Sequence, residues 1–382
     1  MMISRKNFSL PVLFLAVALA LPAAGAPSIQ DVSRFERESL VFPGAEWSRV
    51  EDPESAGFSG VKLAALRGWL QAMDTSAMAV IVGGRLIFEY GDLSRLSYLA
   101  SVRKSVLAVL YGNYVETGVI PLNRTLKDIG FNDVEGLFAS ELEATIGHLI
   151  TARSGVYHPA SNPGDDTYAA PPRGSQRPGG YYLYNNWDFN AAGAVFEMLT
   201  GKDIYAALAE DLAEPIGMQD YDPARQSKSG DVKRSKHQAY HIRLSTRDMA
   251  RLGLLMLRRG EWDGRQVVSR EWVARITSLV TPLHEMNPPM RRSLGGGNRW
   301  AYGYMWWIWD APNSDGPFEG AYTGMGAYGQ YITVLPKFDM VVVHKTDPGE
   351  PSPSGDGKRP RSVSFREYDA VLRMLIAAVL PR

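Results

Sequence analysis

With 382 residues, 45% of them apolar, the chain can bury a sizeable core and is too apolar to be disordered. Its 41 basic residues balance 41 acidic ones, which leaves no basic footprint for nucleic acid, and it has no cysteine. Disulfides, thiol nucleophiles and thiolate metal sites are therefore excluded. At the N-terminus, Arg5 and Lys6 precede a short apolar run over residues 10–21, and Ala24-Gly25-Ala26 supplies small residues where signal peptidase reads them. This is the pattern of a secretory signal peptide ending at residue 26, the alternative being an uncleaved anchor. The run falls short of the roughly 20 apolar residues of a spanning helix. A periplasmic or secreted protein, with no stable membrane insertion after cleavage, is expected.

Residues 27–53 read as an irregular lead-in. Leu63, Leu66, Leu70 and Met73 then share one helical stripe, opened by Gly57-Phe58-Ser59. Two apolar runs, 77–82 and 85–90, flank Gly83-Gly84 as a hairpin. Ser101 precedes a helix so apolar on all sides that burial is expected. From 121 to 257 the pattern is helix and loop, with helical spacing over 144–151, 188–200 and 245–257. The Pro-, Gly- and Ser-rich stretch 154–182 is a long loop of the kind that carries function. Strand character returns in the aromatic-dense segment 301–309 and in a hairpin of 328–335 with 340–344; 347–361 is a surface loop, and an amphipathic helix spans 364–379. The economical arrangement joins the two distant hairpins in one antiparallel sheet. The expected fold is α/β of the α+β type, an antiparallel sheet flanked by helices (54–120 and 290–382) with an inserted, mostly helical domain (121–289).

Ser101-Val102-Arg103-Lys104 places a serine and a lysine three residues apart, neighbours on one helix face with Cβ atoms roughly 5–6 Å apart. A lysine so close, in apolar surroundings that disfavour its charge, can take the hydroxyl proton or relay it. The Ser101 amide lies among the free N–H donors of the helix start and can serve half an oxyanion hole. Alone the pattern is weak: about one S-x-x-K is expected by chance in a chain of this length, and Ser59-Gly60-Val61-Lys62 is a second copy. There Ser59 reads as a helix cap and Lys62 as a solvated first-turn residue. Tyr184-Asn185-Asn186 sits in a loop directly before a helix; its phenol can pass protons beside a lysine, and Asn186 offers donor and acceptor to the lysine or to a substrate carbonyl. The other Y-x-N, at Tyr111 to Asn113, lies roughly 15 Å along the helix from Ser101, out of reach.

The ordered set S-x-x-K then Y-x-N resembles the serine β-lactamase and penicillin-binding-protein superfamily, in particular its class C β-lactamase-like branch. Segments 145–155 (TIGHLITARSG), 244–253 (LSTRDMARLG) and 261–265 (EWDGR) resemble that branch in the same order, over roughly Leu63 to the C-terminus. The resemblance implies a β-lactamase/transpeptidase-like fold and acyl transfer by Ser101, Lys104 and Tyr184. The third family motif departs: K-T-G or H-x-G has no Lys or His to match it in residues 322–330. Gly326-Ala327-Tyr328-Gly329-Gln330 instead resembles 6-aminohexanoate-dimer hydrolase and related esterases, which implies Gly326 as the motif glycine, the Ala327 amide as second oxyanion donor and Tyr328 as a pocket residue. Aligning Tyr322-Thr323-Gly324 instead would give Met325 that role. Without the cation, anchoring of a substrate carboxylate is lost, so esterase or amidase activity ranks above β-lactamase or carboxypeptidase activity. A non-catalytic binding protein on the same fold is the reading from another class. Trp300, Tyr304, Trp306, Trp307 and Trp309 are read as strand core or pocket lining. His237 and His241 show helical spacing but no third ligand, His148 and His158 read as structural, and no metal or cofactor is expected, only a small ester or amide substrate.

Overall fold

The computed structural model describes residues 40–380 apart from 163, 165, 288–299, 311–313 and 349–360. The signal-peptide segment, residues 27–39 of the lead-in, and most of the 347–361 loop lie outside the described residues. Among those described, five helices have twelve residues or more: α1 (Gly60–Gln71), α2 (Val102–Glu116), α3 (Asn186–Thr200), α4 (Thr246–Leu257) and α5 (Phe365–Ala378). Seven strands form one sheet: β1 (Ala77–Val82), β2 (Arg85–Gly91), β3 (Trp300–Tyr302), β4 (Trp307–Trp309), β5 (Tyr322–Gly326), β6 (Gln330–Leu335) and β7 (Met340–Lys345). Their order is β2-β1-β7-β6-β5-β4-β3, with every neighbouring pair antiparallel. The two hairpins thus meet through β1 and β7, as the pattern of apolar runs predicts.

Strand alternation sorts the core into two layers. Tyr331 and Thr333 face α5, where Tyr331 stacks on Tyr368 and Thr333 bonds the Tyr368 hydroxyl. Ile332 and Val341 point the other way, onto α4, which approaches so closely at Gly253 that a Cβ there would lie 2.4 Å from Val341. The same face carries α2, since Gly324, paired with Ile332, meets Ser105. Helix α2 is buried from Val102 through Gly112 and α4 from Asp248 through Met256, in contrast to α5, which buries one side.

The aromatic segment 301–309 has the expected strand character and forms the hairpin β3–β4, because Met305 adopts a left-handed backbone (φ +60°) and Gly303 packs onto the Ser278 carbonyl. One expectation needs correction. The later hairpin begins at Gln330 rather than at residue 328, because Tyr328 (φ +68°) and Gly329 (φ +100°) form the β5–β6 turn. A small antiparallel pair, Ser97–Tyr98 with Arg243–Leu244, also escapes the sequence reading. It leads into the nucleophile's segment.

Candidate active site

Ser101 occupies the N-cap position of α2, yet its side chain makes no cap hydrogen bond. The preceding Ala100 is forced into the left-handed region (φ +47°), an unfavourable conformation for a residue with a Cβ, which turns the chain sharply into the helix. The Ser101 hydroxyl is thereby left to Lys104, whose Nζ lies 3.1 Å away. Lys104 is 1% exposed, and Nζ also donates to the Tyr184 hydroxyl (2.7 Å) and to Asn186 Oδ1 (2.9 Å). Its ammonium position sits 4.1 Å from the centre of the Tyr184 ring and 4.2 Å from that of Phe189. Burial pushes the Tyr184 phenol well above its ordinary value, opposed by its hydrogen bond with Ser101 and by the charge of Arg103.

The segments flanking these residues are what hold them. Asn185 caps α3 by accepting from Asp188 N–H (3.0 Å), which fixes Tyr184 just outside the helix and Asn186 at its first position. Residues 152–156 grip this turn: Ala152 O accepts from Leu183 N–H (3.0 Å), Val156 O from Asn185 (3.2 Å), and Ser154 donates to Asp188 (2.5 Å). On the other side, Leu99 N–H donates to Ile242 O (3.0 Å), and buried Lys345 of β7 ties the Ser97 and Leu244 carbonyls to the sheet.

Strand β5 closes the site. A Cβ at Gly326 would fall 2.5 Å from the Leu99 carbonyl and 3.0 Å from Ser101 N, so only glycine permits this approach. Gly324 instead meets Ser105, a turn farther along α2. The geometry therefore puts Gly326, not Gly324, beside the nucleophile's amide. Ala327 and Tyr328 follow in the exposed turn, and Tyr328 is 36% exposed. His344 pins that turn through Nδ1 to Gly329 O (2.7 Å); burial lowers the imidazole to about 4, so it is neutral and bonds Thr75 through its other nitrogen.

Ser101, Lys104, Tyr184 and Asn186 thus converge, with Gly326 against them and Ala327 and Tyr328 next along the chain. Asn186 is engaged by the lysine. Of the aromatic residues read as core or lining, Trp307 packs on Tyr184 (5.4 Å between ring centres), whereas Trp309 stacks on Phe318 and meets Trp300 edge to face, in the core. Trp306 is fully buried beside Gly324, and Tyr304 packs toward Trp272 and Arg275. Phe189 and Tyr302, which enclose Tyr184, were missed; their helix and strand positions look like core. His148 caps its own helix through Thr145, and His158 bonds the Val134 and Pro159 carbonyls. His237 and His241 bond different partners, Asn132 O and Ser229.

The beta-lactamase family model matches residues 66–361, more than half of the chain. The chain belongs to the beta-lactamase family. Its function is accordingly of the serine-hydrolase type. No curated protein matches the sequence. Among solved structures it is similar to one described as a 6-aminohexanoate-dimer hydrolase from Bacillus anthracis (19% identity, TM-score 0.62, covering 94% of this chain and 100% of that one). It is also similar to a penicillin-binding protein from Bacillus halodurans (18%, 0.56, 81% and 99%) and to a family VIII carboxylesterase (15%, 0.57, 84% and 99%). At these identities the likeness is one of fold.

Proposed function

We propose that this family member is an exported serine hydrolase that cleaves ester or amide bonds through an acyl-enzyme on Ser101. The observation that carries the reading is the three-way contact of Lys104 Nζ with Ser101, Tyr184 and Asn186. Asn186 Oδ1 can only accept, so it always takes one N–H of Lys104. A neutral amine then keeps a second N–H for Tyr184 and turns its lone pair to the Ser101 hydroxyl. As Oγ attacks the carbonyl carbon, its proton passes to Nζ and the carbonyl electrons move onto oxygen. In this reading the amides of Ser101 and Ala327 receive that oxyanion, which is supported by the absence of any described hydrogen bond that uses either as donor. Tyr184, kept protonated by burial, hands its proton to the leaving oxygen or nitrogen while Lys104 replaces it. Water then attacks the acyl carbon, its proton returns through the same pair, and Ser101 is released.

Residues 322–330 contain no Lys or His to hold a substrate carboxylate, which favours simple esters and amides over β-lactams. The N-terminal apolar run supports export. A fluorophosphonate should label the protein covalently, with one adduct by intact mass, and folded Ser101→Ala should show none. An unlabelled wild type that is also inert towards short p-nitrophenyl esters would overturn the reading. A stable penicilloyl adduct with no ester turnover would favour a penicillin-binding protein.

A further inference from the structure

Arg103 fills a variable position of the S-x-x-K pattern. Its side chain is as hidden as that of its neighbour, at 2% exposure. A buried guanidinium is normally matched by a carboxylate. Among the described residues Arg103 forms no ion pair: Nη2 donates to Asn190 Oδ1 (3.0 Å), the guanidinium lies 4.4 Å from the centre of the Tyr240 ring, and Nη1 has no acceptor. Asn186 and Asn190 stand four residues apart on α3, on one face, and receive Lys104 and Arg103 respectively. Helix α3 thus offers amides to two adjacent buried cations. Its carboxylate between them, Asp188, is turned to Ser154 and Asn185.

We infer that Arg103 is a positioning residue whose uncompensated charge keeps the Lys104 amine unprotonated, ready to take the Ser101 proton. A neighbouring cation disfavours a second one, most strongly where water is excluded. The titratable groups around the pair are Tyr98, Asp166, Tyr182, Tyr184, Asp188, Tyr205, Tyr240, His241 and Tyr302, from the elements packed on α2 and from α3 itself. Asp166 and Asp188 are the carboxylates among them, and Asp188 is held by Ser154 and Asn185. Burial is the largest influence on Tyr98, Tyr184 and Tyr240, and it pushes all three up; Arg103 opposes it in each. His241 is lowered to about 4 by burial first and Arg103 next, so it adds no charge at neutral pH. The two amides matter because aspartate at either position would cancel the field without altering the side chain's shape.

The inference rests on the proposed use of Lys104 as base, and its test separates the two. In protein labelled with 13C-lysine, the Lys104 signal, assigned by its loss in Lys104→Met, is titrated in wild type, Arg103→Met, Arg103→Lys and Asn190→Asp. Arg103→Met and Asn190→Asp should raise the Lys104 midpoint by on the order of one pH unit, and Arg103→Lys should hold it near wild type. The acid limb of the fluorophosphonate labelling rate should move with it. Asn190→Asp retains the arginine and nearly the same shape, so it remains informative if Arg103→Met misfolds. An unchanged midpoint in folded Asn190→Asp overturns the role of Arg103. Shifted midpoints in a protein that never labels would uphold the electrostatics and overturn the hydrolase reading.

Discussion

The chain contains S-x-x-K twice, and the two copies make opposite use of it. At Ser59 the hydroxyl accepts from Lys62 N–H (3.4 Å) as an ordinary helix cap, while Lys62 lies exposed and reaches across to the Ala377 carbonyl of α5 (2.6 Å). At Ser101 the cap bond is absent, the preceding residue is strained, and the lysine is buried against the hydroxyl, a phenol and an amide. Spacing puts serine and lysine on one face in both. What separates them is what covers that face: solvent and the helix α5 in one, the sheet and α3 in the other.

The sharpest way to break the comparison is to remove the lysine from each copy. Lys104→Met should lower kcat/KM for a p-nitrophenyl ester by about 10²–10⁴, the range for losing a positioned general base, with the fluorophosphonate labelling rate falling in parallel. Lys62→Met should leave both within twofold. Equal losses would mean that the motif, not its surroundings, carries the chemistry. Next in size comes Gly326→Ala. A Cβ so close to Leu99 O and Ser101 N must displace β5 from the nucleophile, and kcat should fall about 10²–10³, the effect of a lost oxyanion donor, with KM nearly unchanged.

The contrast also marks what a sequence can disclose here. Ser101 and Lys104 are visible because a helix brings i and i+3 together locally, and Tyr184 because its loop precedes a recognisable helix start. The joining of β1–β2 and β6–β7 in one antiparallel sheet follows from two hairpins with alternation and turn signals. Phe189, Tyr302 and Trp307 reach the site by packing between distant segments, and apolar residues on α3, β3 and β4 are indistinguishable from core beforehand. Arg103 stood in plain view, but a charge beside a motif reads as solvated until the tertiary structure shows it buried without a carboxylate. The split of residues 301–309 into β3 and β4 was hidden because Met305 adopts a conformation usually left to glycine.

A second buried lysine tests whether burial alone makes a reactive amine. Lys345 is as hidden as Lys104, but it faces two backbone carbonyls, and burial lowers it to about 7. The unfolded chain holds that proton to about pH 10. Between these values the unfolded state carries the extra proton, so stability should rise with pH, by up to roughly one kcal/mol per unit. Below pH 7 the cost is present in full. The buried tyrosines titrate above this window and His344 below it. Denaturant unfolding at pH 7, 8 and 9 should show the slope in wild type and its loss in Lys345→Met, with Ser101 still labelled in both.

The smallest effect belongs to the solvent-facing copy. Ser59→Ala removes one long cap bond at the start of α1, and a cap of this kind contributes about 0.5–1 kcal/mol. The loss should appear as a small drop in denaturation midpoint with no change in its slope, in labelling or in kcat/KM. The magnitude matters less than the pattern across the two copies. At Ser101 the hydroxyl caps nothing, so Ser101→Ala should cost little stability while abolishing labelling; at Ser59 the same substitution should cost stability and leave labelling untouched. If both substitutions destabilised and neither touched labelling, Ser101 would be a second cap and the difference in burial would be only a difference in packing.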